Sequence, residues 1–244
     1  MPPVTGDAMT GEGDRRVAVV TGANRGIGLE VTRQLGQRGF AVLLGARDRA
    51  AGERRASELR AEGLDVRVQW LDVTDPTAAR EVADTLRREF GHLDVLVNNA
   101  AIHYDTWQRA SDADLAVASE AWETNVLGPW RLCLALLPLV RRSPHPRIVN
   151  VSSESGSLAH MGGGTPAYHV TKAALNALTR TLAAELRPEG ILVNAVCPGW
   201  VATDMGGPGG RPVAEGAASV LWAVELPDGG PTGGFYRDGR PVPW

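Results

Sequence analysis

The stretch Val17–Gly28, VAVVTGANRGIG, decides how the rest of the chain is read. Val17–Thr21 is an apolar, mostly β-branched run, as expected of a strand covered on both faces. It runs straight into a turn carrying Gly22, Gly26 and Gly28, and the residues after it, LEVTRQLGQRG, have a helical pattern. Glycines in such a turn let the backbone bend sharply and approach a pyrophosphate closely. The helix start that follows offers free N–H groups and a favourable dipole. Three glycines alone are weak evidence. A strand before, a helix after and a place near the N-terminus make a dinucleotide-binding turn the better reading. The turn residues Gly22, Asn24, Arg25, Gly26, Ile27 and Gly28 are the candidate phosphate contacts.

Outward from this turn, short apolar runs alternate with amphipathic stretches. The runs are Val17–Thr21, Ala41–Leu44, Val66–Leu71, Val95–Val97, Ile148–Val151 and Ile191–Val196. Helical patterns cover 27–38, 49–62, 76–90, 112–140 and 166–187. Pro76 follows Asp75, a good first helical position after a cap. Pro188 and Gly190 end the last of these helices. This alternation predicts an α/β fold: a doubly wound, Rossmann-type parallel sheet in three αβα layers. The ligand crevice lies beyond the carboxyl ends of the strands. No linker divides the chain, so residues 15–244 read as one domain. Residues 1–14 lack the basic start and apolar core of a signal peptide and read as a flexible leader.

Composition narrows the function classes. Hydrophobic residues are 43% and charged residues 22%, with a net charge of −3. That balance points to neither nucleic acid nor an anionic membrane as a partner. No apolar stretch approaches a membrane span. Cys133 and Cys197 are too few for a disulfide framework or a four-cysteine zinc site, and no cluster has metal-ligand spacing. Reduced thiols suit the cytoplasm.

The second strand ends in LLGARD, where an acid would hold ribose hydroxyls and a base the extra phosphate of NADPH. Arg47 stands there, and Arg25 in the glycine turn is a second guanidinium for the same pocket. Arginine forks match phosphate well, so NADPH is favoured over NADH. Asp48 is the competing ribose acceptor, but its place before RAAGERRASELR suits a helix N-cap better.

At this point the sequence resembles a short-chain dehydrogenase/reductase over nearly its whole length after the leader. The carrying motifs are TGANRGIG, LDV at 71–73, NNAA at 98–101, Asn125 in TNVLG, NVSSESG at 150–156, YHVTK at 168–172 and CPGWVATDM at 197–205. The last of these, with the tail LPDGGPTGGFYRDGRPVPW, is closer still to the carbonyl reductase branch. The resemblance implies that Asp72 and Val73 frame the adenine and that Asn99, Ala100 and Ala101 floor the ribose and nicotinamide. Ala101 replaces a usual glycine. Pro198, Gly199, Val201 and Thr203 would cup the nicotinamide. Trp200, Met205 and Ser155 would meet the substrate.

The implied chemistry is reduction of a ketone or aldehyde, with Tyr168, Lys172, Ser153 and Asn125 as the catalytic set. A carbonyl that accepts hydride needs a proton, and a tyrosine can donate one, although its ordinary pKa is ~10. Lys172 lies one turn on, on the same helix face, where its ammonium would lower the phenol. Ser153 would donate to the carbonyl oxygen as oxyanion donors do. Asn125 would hold a water linking Lys172 to solvent, or else serve as a structural helix bond. Ser152 is the rival serine. The family pattern S-x-x-G selects Ser153 and leaves Ser152 as a satisfied loop hydroxyl.

Other features carry less. His169 points off the tyrosine's face and reads as structural or interfacial. His103 and His160 read as solvated loop histidines, with substrate contact the alternative. Trp107, Trp122, Trp130 and Trp222 read as core or interface. The glycine-rich segment ATDMGGPGGRPVAEG after Trp200 has the composition of a flap over substrate. Trp200 and Met205 suit bulky or aromatic carbonyl compounds. Some carbonyl reductases of this branch carry a long insertion before the tyrosine. Only fifteen positions separate Ser153 from Tyr168 here, so it is absent, which leaves the fourth and fifth helices free to pair in a homodimer or homotetramer. Two other function classes stay open: a reductase of C=N or C=C bonds, and an NADPH-binding sensor without turnover.

Overall fold

The structure, a computed structural model, describes residues 15–244; the leader expected over residues 1–14 lies outside them. Strands and helices alternate as β1 (Val17–Val20), α1 (Gly26–Gln37), β2 (Ala41–Ala46), α2 (Arg49–Ala61), β3 (Val66–Trp70), α3 (Pro76–Glu89) and β4 (Val95–Asn98). There follow α4 (Leu115–Trp122), α5 (Gly128–Val140), β5 (Arg147–Val151), α6 (Pro166–Leu186), β6 (Leu192–Val196), α7 (Val213–Val224), β7 (Phe235–Arg237) and β8 (Arg240–Pro241). The sheet order is β3-β2-β1-β4-β5-β6-β7-β8. Every pairing is parallel except β7 with β8. Strand order reverses between β1 and β4, which opens a crevice at their carboxyl ends.

Period-two alternation builds the three layers. Val17 and Val19 of β1 join Val82, Leu132, Leu136, Leu175 and Leu182 on the face covered by α3, α5 and α6. Ala18 and Val20 join Val31, Leu35, Leu59, Val220 and Leu221 on the face covered by α1, α2 and α7. Caps fix the helix starts. Asp48 accepts from the Ala51 amide at 2.9 Å, so it is occupied as an N-cap. Asp75 accepts from the Thr77 amide ahead of α3, with Pro76 in its first turn.

Three expectations need correction. The helix expected over 112–140 is broken by a π-helical turn over Glu123–Leu127. Pro129 has no N–H to give the carbonyl four residues back, and the Gly128 amide reaches Glu123 instead. The glycine-rich segment expected as a flap runs into a helix, α7, that its small residues concealed. Gly216 of α7 is required there, because a Cβ would stand 2.6 Å from a Val201 methyl. Trp107, Trp122 and Trp130 are exposed rather than core residues. Trp222 packs on Tyr236, ring centres 4.7 Å apart.

Candidate active site

The first part of the site is the glycine turn after β1. Gly22 has φ +61°, and a Cβ on it would lie 2.9 Å from the Ala100 Cα. A Cβ on Gly28 would meet the Asn99 side-chain Nδ2 at 2.5 Å. The turn is therefore packed directly against the segment after β4. Asn99 Nδ2 donates to the Thr21 carbonyl, while the Asn99 and Ala100 amides donate to Thr21 Oγ1. Arg25 precedes α1 with no side-chain cap, so the first N–H groups of α1 have no competing acceptor at their N-cap. A close-packed glycine cradle below an uncapped helix start fits a dinucleotide pyrophosphate.

Arg47 is exposed at the end of β2 and carries no ion pair among the described residues. Arg25 pairs with Asp204 at 2.9 Å, both exposed, and so ties the glycine turn to the loop after Val201. Thr203 reinforces this approach: its methyl would lie 3.3 Å from a Cβ on Gly26.

The second part lies where β5 ends against α6. A short turn, Glu154–Gly156, follows Ser153, and Gly156 packs on α6 so closely that a Cβ would be 2.6 Å from the Lys172 backbone. That contact is why a glycine closes the S-x-x-G pattern. It brings the Ser153 hydroxyl to the Tyr168 phenol. Lys172 is buried, and its Nζ donates to the Val151 carbonyl at 2.8 Å. Burial pushes its ammonium down to about 8. The Tyr168 phenol goes the other way, up to about 12, because burial outweighs the neighbouring Ser153 hydroxyl. Desolvation therefore sets the direction of the phenol's shift, against the fall expected from Lys172, whose ammonium donates to Val151 rather than to the phenol. Ser152 is buried and donates to Asn176 Oδ1 at 2.6 Å, which takes it out of the site as expected.

A third layer comes from side chains not foreseen. Glu154 accepts twice from Arg237 Nη1, at 3.0 and 3.1 Å. The Arg237 guanidinium also lies under Gly199, 3.0 Å from where a Cβ would stand. Cys197 Sγ accepts from the Glu154 and Gly199 amides, each at 3.3 Å. Arg237 and Cys197 thus lock the serine turn to the Pro198–Gly199 turn. His103 is not a solvated loop histidine: its ring stacks on Tyr168 with centres 4.2 Å apart, and burial lowers its pKa.

A family model described as short chain dehydrogenase matches residues 16–211. The chain belongs to the short-chain dehydrogenase family. It is 37% identical to carbonyl reductase (NADPH) 1 of Sus scrofa over 94% of each chain. It is 36% identical to the Mus musculus protein of the same name, over 94% of this chain and 99% of that one. Among solved structures, an NADPH-bound carbonyl reductase from chicken fatty liver superposes with a TM-score of 0.85 at 29% identity. That match covers 94% of this chain and 99% of the other. Salutaridine reductase from Papaver somniferum superposes with a TM-score of 0.82 at 31% identity, covering 91% and 99%.

Within this short-chain dehydrogenase, the remaining expected residues fall as follows. Asp72 Oδ1 already accepts from the Thr74 amide and hydroxyl, and Val73 packs against Gly128. Pro198 is buried, and Gly199 turns with φ +77°. The Val201 side chain is buried against α7, so only its backbone is left to line a nicotinamide site. Thr203 Oγ1 accepts from the Gly206 amide. Trp200 is exposed and folds back on its own loop, donating from Nε1 to the Gly206 carbonyl. Met205 and His160 are exposed, and Ser155 donates its amide to Ser153 Oγ. Asn125 is buried in the π-helical turn. It accepts from the Ile102 amide and donates to the Ile102 carbonyl and Thr171 Oγ1. No described helix is long and apolar enough to cross a membrane.

Proposed function

We propose that this chain is an NADPH-dependent reductase of ketone or aldehyde carbonyls. The observation that carries the reading is the placement of Tyr168 beside Ser153 with Lys172 one turn on along α6. The relatives named carbonyl reductase (NADPH) support both the reaction and the cofactor. NADPH, when bound, supplies hydride to the carbonyl carbon. Gly22, Asn24, Arg25, Gly26, Ile27 and Gly28 hold its pyrophosphate, and Arg47 with Arg25 holds the 2′-phosphate. Asp72 and Val73 border the adenine. Asn99, Ala100, Ala101, Pro198, Gly199, the Val201 backbone and Thr203 border the ribose and nicotinamide.

The chain's own chemistry is proton delivery. Ser153 Oγ donates to the carbonyl oxygen and steadies the charge that develops there. Tyr168 gives its hydroxyl proton to that oxygen. Burial holds the phenol up at about 12, so it is protonated at neutral pH and available as the donor. Lys172 places a cation behind the resulting phenolate. Asn125 acts through Ile102 and Thr171 as a positioning residue. Trp200, Met205 and Ser155 border an apolar site for bulky or aromatic carbonyl compounds.

The same reading takes residues 15–244 as one domain, spanned by a continuous sheet, and places the protein in the cytoplasm. Cys133 and Cys197 are unpaired, and burial pushes Cys133 up to about 12, as befits inert reduced thiols. It also takes the protein as a homodimer or homotetramer, supported by exposed apolar residues on α4, α5 and α6.

NADPH oxidation against aromatic aldehydes, quinones and cyclic ketones tests the function. Turnover is expected, with a fall of about a hundredfold to ten-thousandfold in Tyr168→Phe, since the proton donor is gone. A phenylalanine variant that keeps full rate sinks the mechanism.

A further inference from the structure

Between β4 and α4 lie two side chains that the steps above leave unused, His103 and Asp105. Both reach Tyr168. The imidazole of His103 stacks on the phenol ring, centres 4.2 Å apart and planes 27° from parallel. Asp105 is buried, and its Oδ2 accepts from the Ala167 amide at 2.7 Å and the Tyr168 amide at 3.3 Å. A helix start leaves its first N–H groups without partners, and the residue before it normally supplies a cap. Thr165, in that position, has φ +41° and caps nothing. The carboxylate that completes α6 therefore comes from another part of the chain, and it grips the residue that donates the proton.

The segment that carries both side chains is itself anchored. Asn125 closes two hydrogen bonds on Ile102, through its amide and its carbonyl, and a third on Thr171, the residue before Lys172. His103 is next in the chain after that anchor.

We propose that Ile102–Asp105 is a two-point clamp on Tyr168, in which His103 sets the plane of the ring and Asp105 sets the backbone that carries it. The proposal rests on the reading of Tyr168 as the proton donor. His103 and Asp105 are positioning residues: neither gives or takes the proton. The two contacts are complementary, because a ring fixed only at its backbone still turns about its side-chain bonds.

Stacking, not charge, is what His103 contributes. Its Nε2 is buried without a hydrogen-bond partner, so a protonated ring would bury an N–H with no acceptor. Burial accordingly holds it below its ordinary value; His169 and Lys172 push the same way and Asp105 opposes. A phenyl ring can do the same work. Asp105 adds a charge effect, since its carboxylate also helps keep the phenol protonated.

The test uses His103→Ala, His103→Phe, Asp105→Asn and Asp105→Ala in the full chain with NADPH and the best ketone substrate. Tyr168 ionisation is read separately by ultraviolet difference titration against Tyr168→Phe. His103→Ala is expected to lower kcat about tenfold with the KM for NADPH unchanged, and His103→Phe to restore it to within about threefold. Asp105→Asn keeps an acceptor oxygen and should hold kcat within about threefold, while the phenol titrates at lower pH. Asp105→Ala should lose about tenfold or more. Wild-type kcat in His103→Ala, or a phenylalanine variant no better than the alanine one, overturns the clamp. If Asp105→Ala does not fold, the His103 pair and the Asp105→Asn titration decide. Failure of the functional reading looks different, since it shows as full rate in Tyr168→Phe itself.

Discussion

Lys172 Nζ donates to the Val151 carbonyl at 2.8 Å, while the same nitrogen stands 5.6 Å from the centre of the Tyr168 ring. The ammonium is anchored to the end of β5 and held behind the phenol rather than on its hydroxyl. Burying a charge in this way costs stability, and a site that needs the charge carries the cost.

That cost has a pH signature. Burial lowers the Lys172 pKa from 10.5 to about 8. Below about 8 the folded protein holds a buried ammonium, and the penalty is fully present. Between about 8 and 10.5 the folded state has released the proton and the unfolded state keeps it, so stability rises with pH. Wild type should therefore gain stability relative to Lys172→Met across that window, on the order of 3 kcal/mol. At pH 7 the methionine variant, though inactive, should melt close to wild type, because relief of the charge offsets the orphaned Val151 carbonyl. Thermal melts of both proteins from pH 7 to 10.5 check this. A constant difference between them over that range contradicts the assignment.

Cofactor choice is the second prediction. Arg47 is exposed at the end of β2, and Asp48 beside it is committed to the cap of α2. Replacing Arg47 with Asp removes a phosphate partner and places an acid where ribose hydroxyls would lie. A charge-assisted hydrogen bond contributes about 1.5–3 kcal/mol. The KM for NADPH should thus rise roughly 10- to 100-fold, with that for NADH unchanged or lower. Equal changes for both cofactors would remove Arg47 from the phosphate site.

Gly156 carries the third. A Cβ there would stand 2.6 Å from the Lys172 carbonyl carbon, 2.8 Å from its Cβ and 2.8 Å from its oxygen. Backbone inside a helix cannot step aside, so Gly156→Ala must push the serine turn off α6. Overpacking of this kind costs about 1–3 kcal/mol, and Ser153 moves with the turn. A lower melting temperature and a large loss of kcat are expected together. Gly162, with open space around it, is the matched control, and alanine there should change stability by less than about 0.5 kcal/mol. Indistinguishable behaviour of the two variants would dismiss the packing argument.

Local pattern made much of this legible. VAVVTGANRGIG reads as strand, turn and helix because apolar periodicity and glycine spacing act over a few residues. Tyr168 and Lys172 read as a pair because four residues make one helical turn. What stayed hidden depends on distant parts of the chain. His103 and Asp105 meet Tyr168 only after β4 and α6 are packed, and Arg237 meets Glu154 only when β7 joins the sheet edge. The direction of the Tyr168 shift stays hidden for the same reason: proximity to Lys172 is visible in sequence, but the desolvation at the site is not. In α7, Gly216 and its small neighbours look like a loop until Val201 is seen to need the space.

The last prediction concerns assembly. Trp130 and Leu134 lie one turn apart on α5, 43% and 63% exposed, and Trp122 and Val170 are exposed on α4 and α6. Aromatic residues left at the surface on helices in this way mark interaction faces. A second copy of the same face is the natural cover, since two-fold interfaces are self-complementary. Sedimentation at micromolar concentration should give a dimer or tetramer. Trp130→Glu places a charge at the middle of the face and should yield a folded, smaller species with Tyr168 and Lys172 undisturbed. If wild type sediments as a monomer, the exposed face of α5 has another partner; if Trp130→Glu sediments like wild type, the contact lies elsewhere.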